Sequence, residues 1–335
     1  MARRTIIEIA ERVGVSTATV SRALNNVPGV SEEKRRQILA VARELDYYPN
    51  AIARSLQGQR TNTVCYTVDV STRAAADLFF FKDFITALAD RCVHYGLDLL
   101  LHPVSHGDVL MHDLGRVLRS GRADGLIVSD IRLDDERIEH LKNLKAPFVA
   151  FGRNEQLRDL PYVDVDGELG IYYATRHLIE RGHRRIALLG LPVGFSCALQ
   201  RRDGYLRALR EYGVPLEPDL LVMDLANERE AAHAAERLLA LPQAPTAFVS
   251  SSDMLAIQTM SVATRRGLRA GRDYAITGFD DLPLAEHTSP PLTTVRQPLD
   301  RIADALIMLL LRVLDEESGP RQVLIEPELV VRESS

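Results

Sequence analysis

Thr17, Ala18, Ser21, Arg22 and Asn25 share a spacing that no protein core requires. If residues 16–25 are helical, these five fall along one face, because positions three and four apart are neighbours on a helix. Small side chains let a helix sit deep in a groove. A guanidinium donates two parallel hydrogen bonds, as guanine O6 and N7 demand, and the methyls of Ala18 and Thr17 can meet a thymine methyl. Ser16, Ser21 and Asn25 carry groups suited to phosphate oxygens, which fix register without reading sequence. The same residues would also make an ordinary solvated face, so the neighbouring elements decide between the two.

Those elements predict a small three-helix unit. Thr5-Ile6-Ile7-Glu8 matches a capping box before an apolar run, and Ile6, Ile9, Ala10 and Val13 repeat at helical spacing up to Gly14. Ser16 caps the next helix, to about Asn25, which gives a helix-turn-helix. After the loop "NNVPGV", Ser31 caps a third helix with Glu32 and Glu33 in its positive first turn and Ile38, Val41, Ala42 and Leu45 as its stripe. Val20, Ala23 and Leu24 then belong to the core, and the polar face is left outside. A fourth helix, from Pro49-Asn50 to Gly58, is too short to be stable alone. Ala53 and Leu56 lie on one of its faces beside Arg54, and an exposed Leu can act as a wedge between base steps in the minor groove.

Charge agrees with a polyanion partner for this segment alone. Residues 1–60 hold ten Lys/Arg against six Asp/Glu, leaving 31 of the 41 basic and 40 of the 46 acidic residues for the rest of a 335-residue chain. Other chemistries lack their residues. No G-x-G-x-x-G follows the first strand, no Walker loop is present, and the nine histidines form no metal or triad pattern. The three cysteines, Cys65, Cys92 and Cys197, form no CxxC pair, as expected of a protein in the reducing cytoplasm. No run approaches the roughly 20 apolar residues of a membrane span. No cofactor, no metal and no enzymatic activity are expected.

From residue 62 strands and helices alternate. "TVCYTVDV", "LDLLLH", "DGLIVS" and "PFVAFG" read as buried strands; after "PYVDVD" the alternation restarts with "HRRIALLG", "LLVMD", "TAFVSS" and "DYAITGF". Two such runs predict two doubly wound parallel sheets, followed by a helix from Asp300 to about Leu314 and a final strand pair. Ligands of these sheets bind beyond the carboxyl ends of the strands.

"VSTATVSRALN" with "VSEEKRRQILAVARELDYYPNAIARSL" resembles the DNA-binding head and hinge of the lactose/galactose repressor (LacI/GalR) family of bacterial transcription regulators. "HLIERGHRRIALLG", "GFDDLPLAEHTSPPLTTVRQP" and "IEPELVVRESS" resemble its effector domain, which has the type I periplasmic-binding-protein fold. The resemblance implies base reading by Thr17, Ala18 and Arg22. It implies backbone contacts from Thr5, Ser16, Ser21, Asn25, Tyr47 and Asn50, and a wedge at Leu56 in the centre of a palindromic operator, commonly a CG step. It divides the chain into a head (1–48), a hinge helix (49–61) and a body (62–335). The first lobe covers about 62–162 plus 293–320, the second about 163–290 plus 321–335, with three crossings between them.

The resemblance also implies an effector pocket. Arg201 stands three before the Gly of "RRDGY", and Asp280 in "TGFDD" takes the place of an aspartate facing the ligand; together they can grip adjacent hydroxyls. An interlobe salt bridge is the alternative use of the pair. Arg153 joins them from a strand end, and Phe79 and Phe195 supply an apolar wall. The sequence departs from the family at Ser252, where an Asn is usual, at Leu225 and Ala226, where several members carry an aromatic, and in "ADLF" for "NPFF"; it has no Trp. A sugar is expected as effector, a glucoside or short oligosaccharide. The chain is expected to form a homodimer through its bodies, with no heptad segment to tether a tetramer, and a changed lobe angle is expected to act on the ordering of the hinge helices. A periplasmic-type sugar-binding protein and a sugar- or nucleotide-handling enzyme are the competing readings of the same body.

Overall fold

A computed structural model describes residues 6–24, 28–45, 47, 60–69, 77–104 and 108–335. The chain divides into two compact units, Met1–Thr61 and Asn62–Ser335. In the first, α1 (Ile6–Val13), α2 (Thr17–Leu24) and α3 (Glu32–Glu44) enclose Ile9, Ala10, Val20, Ala23, Ile38, Ala42 and Leu45. Gly14 turns the chain with φ +69°, where a Cβ would be penalised. The Ser16 hydroxyl accepts from the Thr19 N–H at 3.1 Å and caps α2; Ser31 caps α3 through the Lys34 N–H at 3.3 Å. Lys34 Nζ donates to the Val13 carbonyl at 3.2 Å, which ties α3 to the exposed C-terminus of α1. Apart from Arg60 and Thr61, the hinge helix expected over 49–61 lies outside the described residues.

The second unit has two six-stranded sheets. The first contains β1 (Thr63–Asp69), β2 (Asp98–Val104), β3 (Gly125–Val128), β4 (Phe148–Phe151), β5 (Tyr162–Val165) and β11 (Gln322–Ile325), in the order β11-β5-β4-β3-β1-β2, all parallel. Helix α4 (Asp77–His94) packs on one face together with α12 (Leu299–Leu314). Helices α5 (Asp108–Arg119) and α6 (Glu136–Asn143) cover the other face. The second sheet contains β6 (Ile186–Leu189), β7 (Leu221–Val222), β8 (Ala247–Ser250), β9 (Ala275–Asp280), β10 (Thr293–Arg296) and β12 (Glu328–Val330), in the order β12-β10-β9-β8-β6-β7. All its pairings are parallel except β10 with β12. Helices α7 (Gly167–Glu180) and α8 (Ser196–Glu211) lie on one face, and α9 (Glu228–Leu239) and α10 (Asp253–Arg265) on the other; the short α11 (Pro283–Glu286) follows β9. Both faces of each sheet are covered. That is why Ile186 and Leu188 are buried on one side while Ala187 and Leu189 are buried on the other, and why these strands read as unbroken apolar runs.

The strand order corrects the expected lobe boundaries. All of β5 belongs to the first sheet, so the first lobe runs on past residue 162. Strand β10 belongs to the second sheet, although 293–320 was assigned to the first lobe. Strand β11 pairs in parallel with β5, although 321–335 was assigned to the second lobe. The last two strands therefore do not pair with each other. They extend opposite sheets, and the chain crosses between lobes near residues 165–167, 297–299 and 325–328.

Candidate ligand cleft and nucleic-acid interface

In the head, α2 turns Val20 and Ala23 into the core and leaves Thr17, Ala18 and Arg22 exposed, with Ser21 half-buried at the margin. The Ser16 hydroxyl is engaged with Thr19, so its cap already holds α2 in place. The Arg22 guanidinium reaches past the loop at Gly29, where an added Cβ would come within 3.8 Å of Nη1. Tyr47 packs half-buried on the head core, with its N–H on the Ala42 carbonyl at 2.9 Å. Thr5, Asn25, Asn50, Ala53, Arg54 and Leu56 lie outside the described residues. The exposed face of α2 combines one bidentate donor with small neighbours, the composition that fits a major groove.

In the body, the strand ends of both sheets enclose a cavity of about 560 Å³. Arg201 projects into it from the second turn of α8 and is only 8% exposed. Its guanidinium stacks on the Phe279 ring at 3.8 Å, donates to the Ser251 carbonyl and lies 3.9 Å from Asp280 Oδ1. Its buried Nε has no hydrogen-bond partner among the described residues. Helix α8 reaches this depth because Gly204 lets it lie against α7; a Cβ there would meet the Glu168 carbonyl oxygen at 2.0 Å. Asp280 ends β9 at φ +117°, unusual for a side chain-bearing residue, and accepts from Gln297 Nε2 at 2.7 Å. Behind it, Asp253 is fully buried and accepts from Thr294 Oγ1 and, at 2.7 Å, from the Leu282 N–H. Burial, and then the nearby Asp280 carboxylate, push the Asp253 carboxyl well above the usual range. Arg201 and Asp280 stand on the same lobe, which rules out an interlobe salt bridge between them.

Asp164, near the end of β5, is 7% exposed, and burial raises its pKa to about 7 against the opposing pull of Arg153. Its Oδ2 has no hydrogen-bond partner among the described residues. Arg153 stands 3.6 Å from Asp164 and 3.7 Å from Asp166. It is not among the residues that line the cavity, so it supports a cleft carboxylate from behind, contrary to the expectation that it faces the ligand.

Aromatic rings make up part of the first-lobe wall, beside Ser129, Asp130, Ile131 and Arg132. Tyr66 on β1, Phe80, Phe81 and Phe84 on α4, and Phe151 on β4 all line the cavity. Phe79 does not; it is 47% exposed, a second correction. The reason is helical phase. Phe80, Phe84 and Leu88 follow one another at i, i+4 and i+8, whereas Phe79 is turned about 100° away.

Apart from the crossings, the lobes are joined by a further contact. Residues 131–133 of the first lobe and 194–196 of the second form a two-rung antiparallel contact. Leu133 N–H donates to the Gly194 carbonyl at 3.1 Å and Ser196 N–H to the Ile131 carbonyl at 2.9 Å, with Arg132 over the Phe195 ring at 5.6 Å. The first strand of this latch is held rigidly. Buried Arg137 pairs with buried Asp135 and donates to the Ser129 and Asp130 carbonyls at 2.9 Å, while Asn154 Nδ2 donates to the Arg132 carbonyl at 2.7 Å. The second is anchored by Val193 N–H on Asp224 Oδ1 at 2.9 Å.

Of the residues expected at the pocket, Phe195, Arg201, Ser252 and Asp280 line the cavity; the Ser252 hydroxyl also caps α10 through the Leu255 N–H at 3.3 Å. Sequence reasoning passed over Asp164, Gln200 and Gln297. Asp164 was open to discovery by the strand-end rule, since "PYVDVD" marks where the first alternation of strands and helices closes. Gln297 carried no comparable signal. Among the described residues no group of three or more His, Cys, Asp or Glu could hold a metal ion, and no helix is long and apolar enough to cross a membrane.

Comparison with known proteins places both units. Residues 5–50 match the family model for bacterial regulatory proteins of the lacI family, and residues 175–335 match the model for the periplasmic binding protein-like domain. The chain is 35% identical to the HTH-type transcriptional regulator AglR of Rhizobium meliloti (strain 1021), over 98% of this chain and 93% of that protein. It is 30% identical to the HTH-type transcriptional repressor CytR of Escherichia coli (strain K12), over 99% and 96%. Among solved structures, a CelR–cellobiose complex matches with a TM-score of 0.74 at 29% identity, covering 99% of this chain and all of that one. A lac repressor dimer bound to operator and the anti-inducer ONPF matches with a TM-score of 0.83 at 25% identity, covering 99% and 98%.

Proposed function

The chain belongs to the LacI family of bacterial regulatory proteins, and from that premise we infer how it works: it is a DNA-binding transcriptional regulator, not an enzyme, whose operator affinity is set by a small molecule held between its lobes. The observation that carries the reading is the pairing of an exposed α2 face with a cleft between the two lobes that is lined by Arg201, Asp280 and Gln297.

Thr17, Ala18 and Arg22 read base edges, and Ser16, Ser21 and Tyr47 hold the backbone of a palindromic operator bound by two copies of the chain. Arg201, Asp280, Gln297 and Ser252 bind the effector. A guanidinium, a carboxylate and an amide within one cleft offer donors and acceptors in the alternation that vicinal hydroxyls need, which supports a sugar. A cavity of about 560 Å³ lies well within the size of small-molecule sites, and the related CelR carries a disaccharide in its solved complex. The effector acts by linkage. It binds one arrangement of the lobes more tightly, and that arrangement favours or disfavours the operator-bound hinge, a coupling of about 1–3 kcal/mol. As a DNA-binding regulator it acts beside the genome in the bacterial cytoplasm.

The test begins with in vitro selection of the operator. A thermal-shift screen of neutral sugars, uronic acids and nucleosides follows, and then operator binding with each hit. A neutral sugar that raises the melting temperature and changes operator affinity at least fivefold is expected. Failure to select any palindromic sequence, or hits that leave operator affinity unchanged, would sink the reading.

A further inference from the structure

Outside the effector cleft, the second lobe carries another concavity, of about 520 Å³, between the end of β7 and α9. Buried Val222, Leu225 and Ala234 and half-buried Met223 form its apolar floor. Arg229, His233 and Arg237 line it from α9, and all three are exposed. They follow one another at i, i+4 and i+8, a row about 12 Å long on a helix that rises ~1.5 Å per residue. Among the described residues, none of their side chains makes an ion pair or a hydrogen bond.

Elsewhere on this lobe the surface arginines are matched. Arg207 pairs with Glu211, four residues on, at 2.9 Å, and Arg176 with Glu180 at 3.7 Å. On α9 the residue four positions on is another basic one, twice in succession, and like charges at that spacing weaken a helix. Arg229 also sits in the first turn, at the positive end of the helix dipole. The carboxylates of the concavity are turned to other uses. Glu230 Oε2 accepts from the Ala226 N–H at 2.7 Å, and Asp224 Oδ1 from the Val193 N–H of the latch at 2.9 Å. Glu228 and Glu236 do not line it. A local rule broken without compensation inside the chain marks a functional surface.

The compensating group is an anion, and its class follows from the cations. A guanidinium forms its strongest paired hydrogen bonds with phosphate or carboxylate oxygens, and a phosphate monoester brings close to two charges and three oxygens in one compact group. Arg229 and Arg237 are long enough to converge on such a group beside His233. The volume is that of a small-molecule site, and the floor beside Met223 suits an organic substituent. We propose that the end of β7 and α9 form a second ligand site, for an organic phosphate monoester held by Arg229, His233 and Arg237. The site is separate from the effector cleft, but Leu225 lines both cavities and Asp224 anchors the latch, so an occupant contacts the loop on which closure depends.

The experiment is calorimetric titration of the full chain, at fixed ionic strength, with phenyl phosphate, inorganic phosphate, benzoate and phenol. Phenyl phosphate is expected to bind once per chain and ~10-fold tighter than either inorganic phosphate, which lacks the apolar part, or benzoate, which carries one charge. The double variant Arg229→Gln/Arg237→Gln, whose exposed positions leave the melting curve unchanged, is expected to lose at least ~10-fold in affinity for phenyl phosphate, and His233→Asn a smaller factor. Absence of phenyl phosphate binding would overturn the proposal. So would equal affinity for inorganic phosphate or benzoate, which would mean adventitious anion binding only, or full affinity in the double variant, which would place the anion elsewhere on the chain. The sugar titrations of the effector cleft are read separately, so each of these failures leaves that reading standing.

Discussion

Ser196→Pro isolates the latch from everything else in the cleft. Ser196 is the first residue of α8, and proline is tolerated there because the N–H at that position has no partner within the helix. Phe195, before it, is extended at φ −94° and ψ 138°, as a residue preceding proline must be. In this protein the Ser196 N–H is not idle; it donates across the cleft to the Ile131 carbonyl at 2.9 Å. Proline removes that donor and pushes its Cδ against the carbonyl oxygen. The Leu133–Gly194 rung, two residues away on each strand, loses its register as well. At about 0.5–1.5 kcal/mol net for each bond, the closed arrangement loses roughly 1–3 kcal/mol. If the effector binds with both lobes around it, its affinity falls about 5- to 150-fold. The measurement is effector titration of Ser196→Pro against wild type, with Ser196→Ala separating loss of the hydroxyl from loss of the N–H. A Ser196→Pro protein that melts normally and binds effector within twofold of wild type would show that the 131–133/194–196 contact has no part in closure.

Three further outcomes follow from the same structure. Arg22→Ala is expected to weaken operator binding about 5- to 150-fold and to flatten discrimination at one base pair per half-site, read by fluorescence anisotropy on the selected operator and its single-base variants; unchanged selectivity would remove Arg22 from base reading. Gly204→Ala would force a Cβ against the Glu168 carbonyl and so drive α7 and α8 apart, costing about 1–3 kcal/mol of stability in denaturant titration and displacing Arg201; a neutral effect on both stability and effector affinity would contradict the close approach. Asp164 has a folded pKa raised to about 7, so the stability it contributes is complete below pH ~4 and is lost as pH rises through 7. Asp164→Asn is therefore expected to raise the melting temperature at pH 8 but hardly at pH 4, and an equal shift at both would refute the assignment.

How much of this was legible in the sequence depends on the range of the interaction that decides each feature. Capping and helical phase are local, and Ser16, Ser31 and the apolar stripes of α1–α3 place the head core directly. The phase of α4 was equally available. The stripe through Phe84 and Leu88 points back to Phe80, and choosing Phe79 ignored it. Sheet membership is different. The segment "QVLI" is short and exposed along most of its length, and nothing within it distinguishes pairing with β5 from pairing with β12. Its place is set by a partner some 160 residues earlier, which is why the lobe boundaries came out wrong while the two-lobe fold did not. The latch was illegible for a related reason. It is made of backbone N–H and carbonyl groups, which every sequence supplies, and only tertiary structure brings "IRL" and "GFS" together.

The crossings give the cleft its means of sensing a ligand. Asp164 precedes the first crossing by one residue. Gln297 lies on the second, where it donates to Asp280 at 2.7 Å, and Glu326 on the third accepts from Tyr173 OH at 2.8 Å. A ligand hydroxyl that takes over Asp280 Oδ1 competes with Gln297 for the same acceptor. The amide must then turn, and with it the segment that carries the chain from β10 to α12. The adjustment is small at the ligand, but β10 and α12 belong to different lobes, so any rotation about residue 297 is a rotation of one lobe on the other. The latch between 131–133 and 194–196 resists that rotation with two hydrogen bonds. A ligand contact at a crossing and a weak contact outside the crossings make a two-state element whose balance a few kcal/mol can tip, and a ligand that binds the two arrangements unequally needs no other lever.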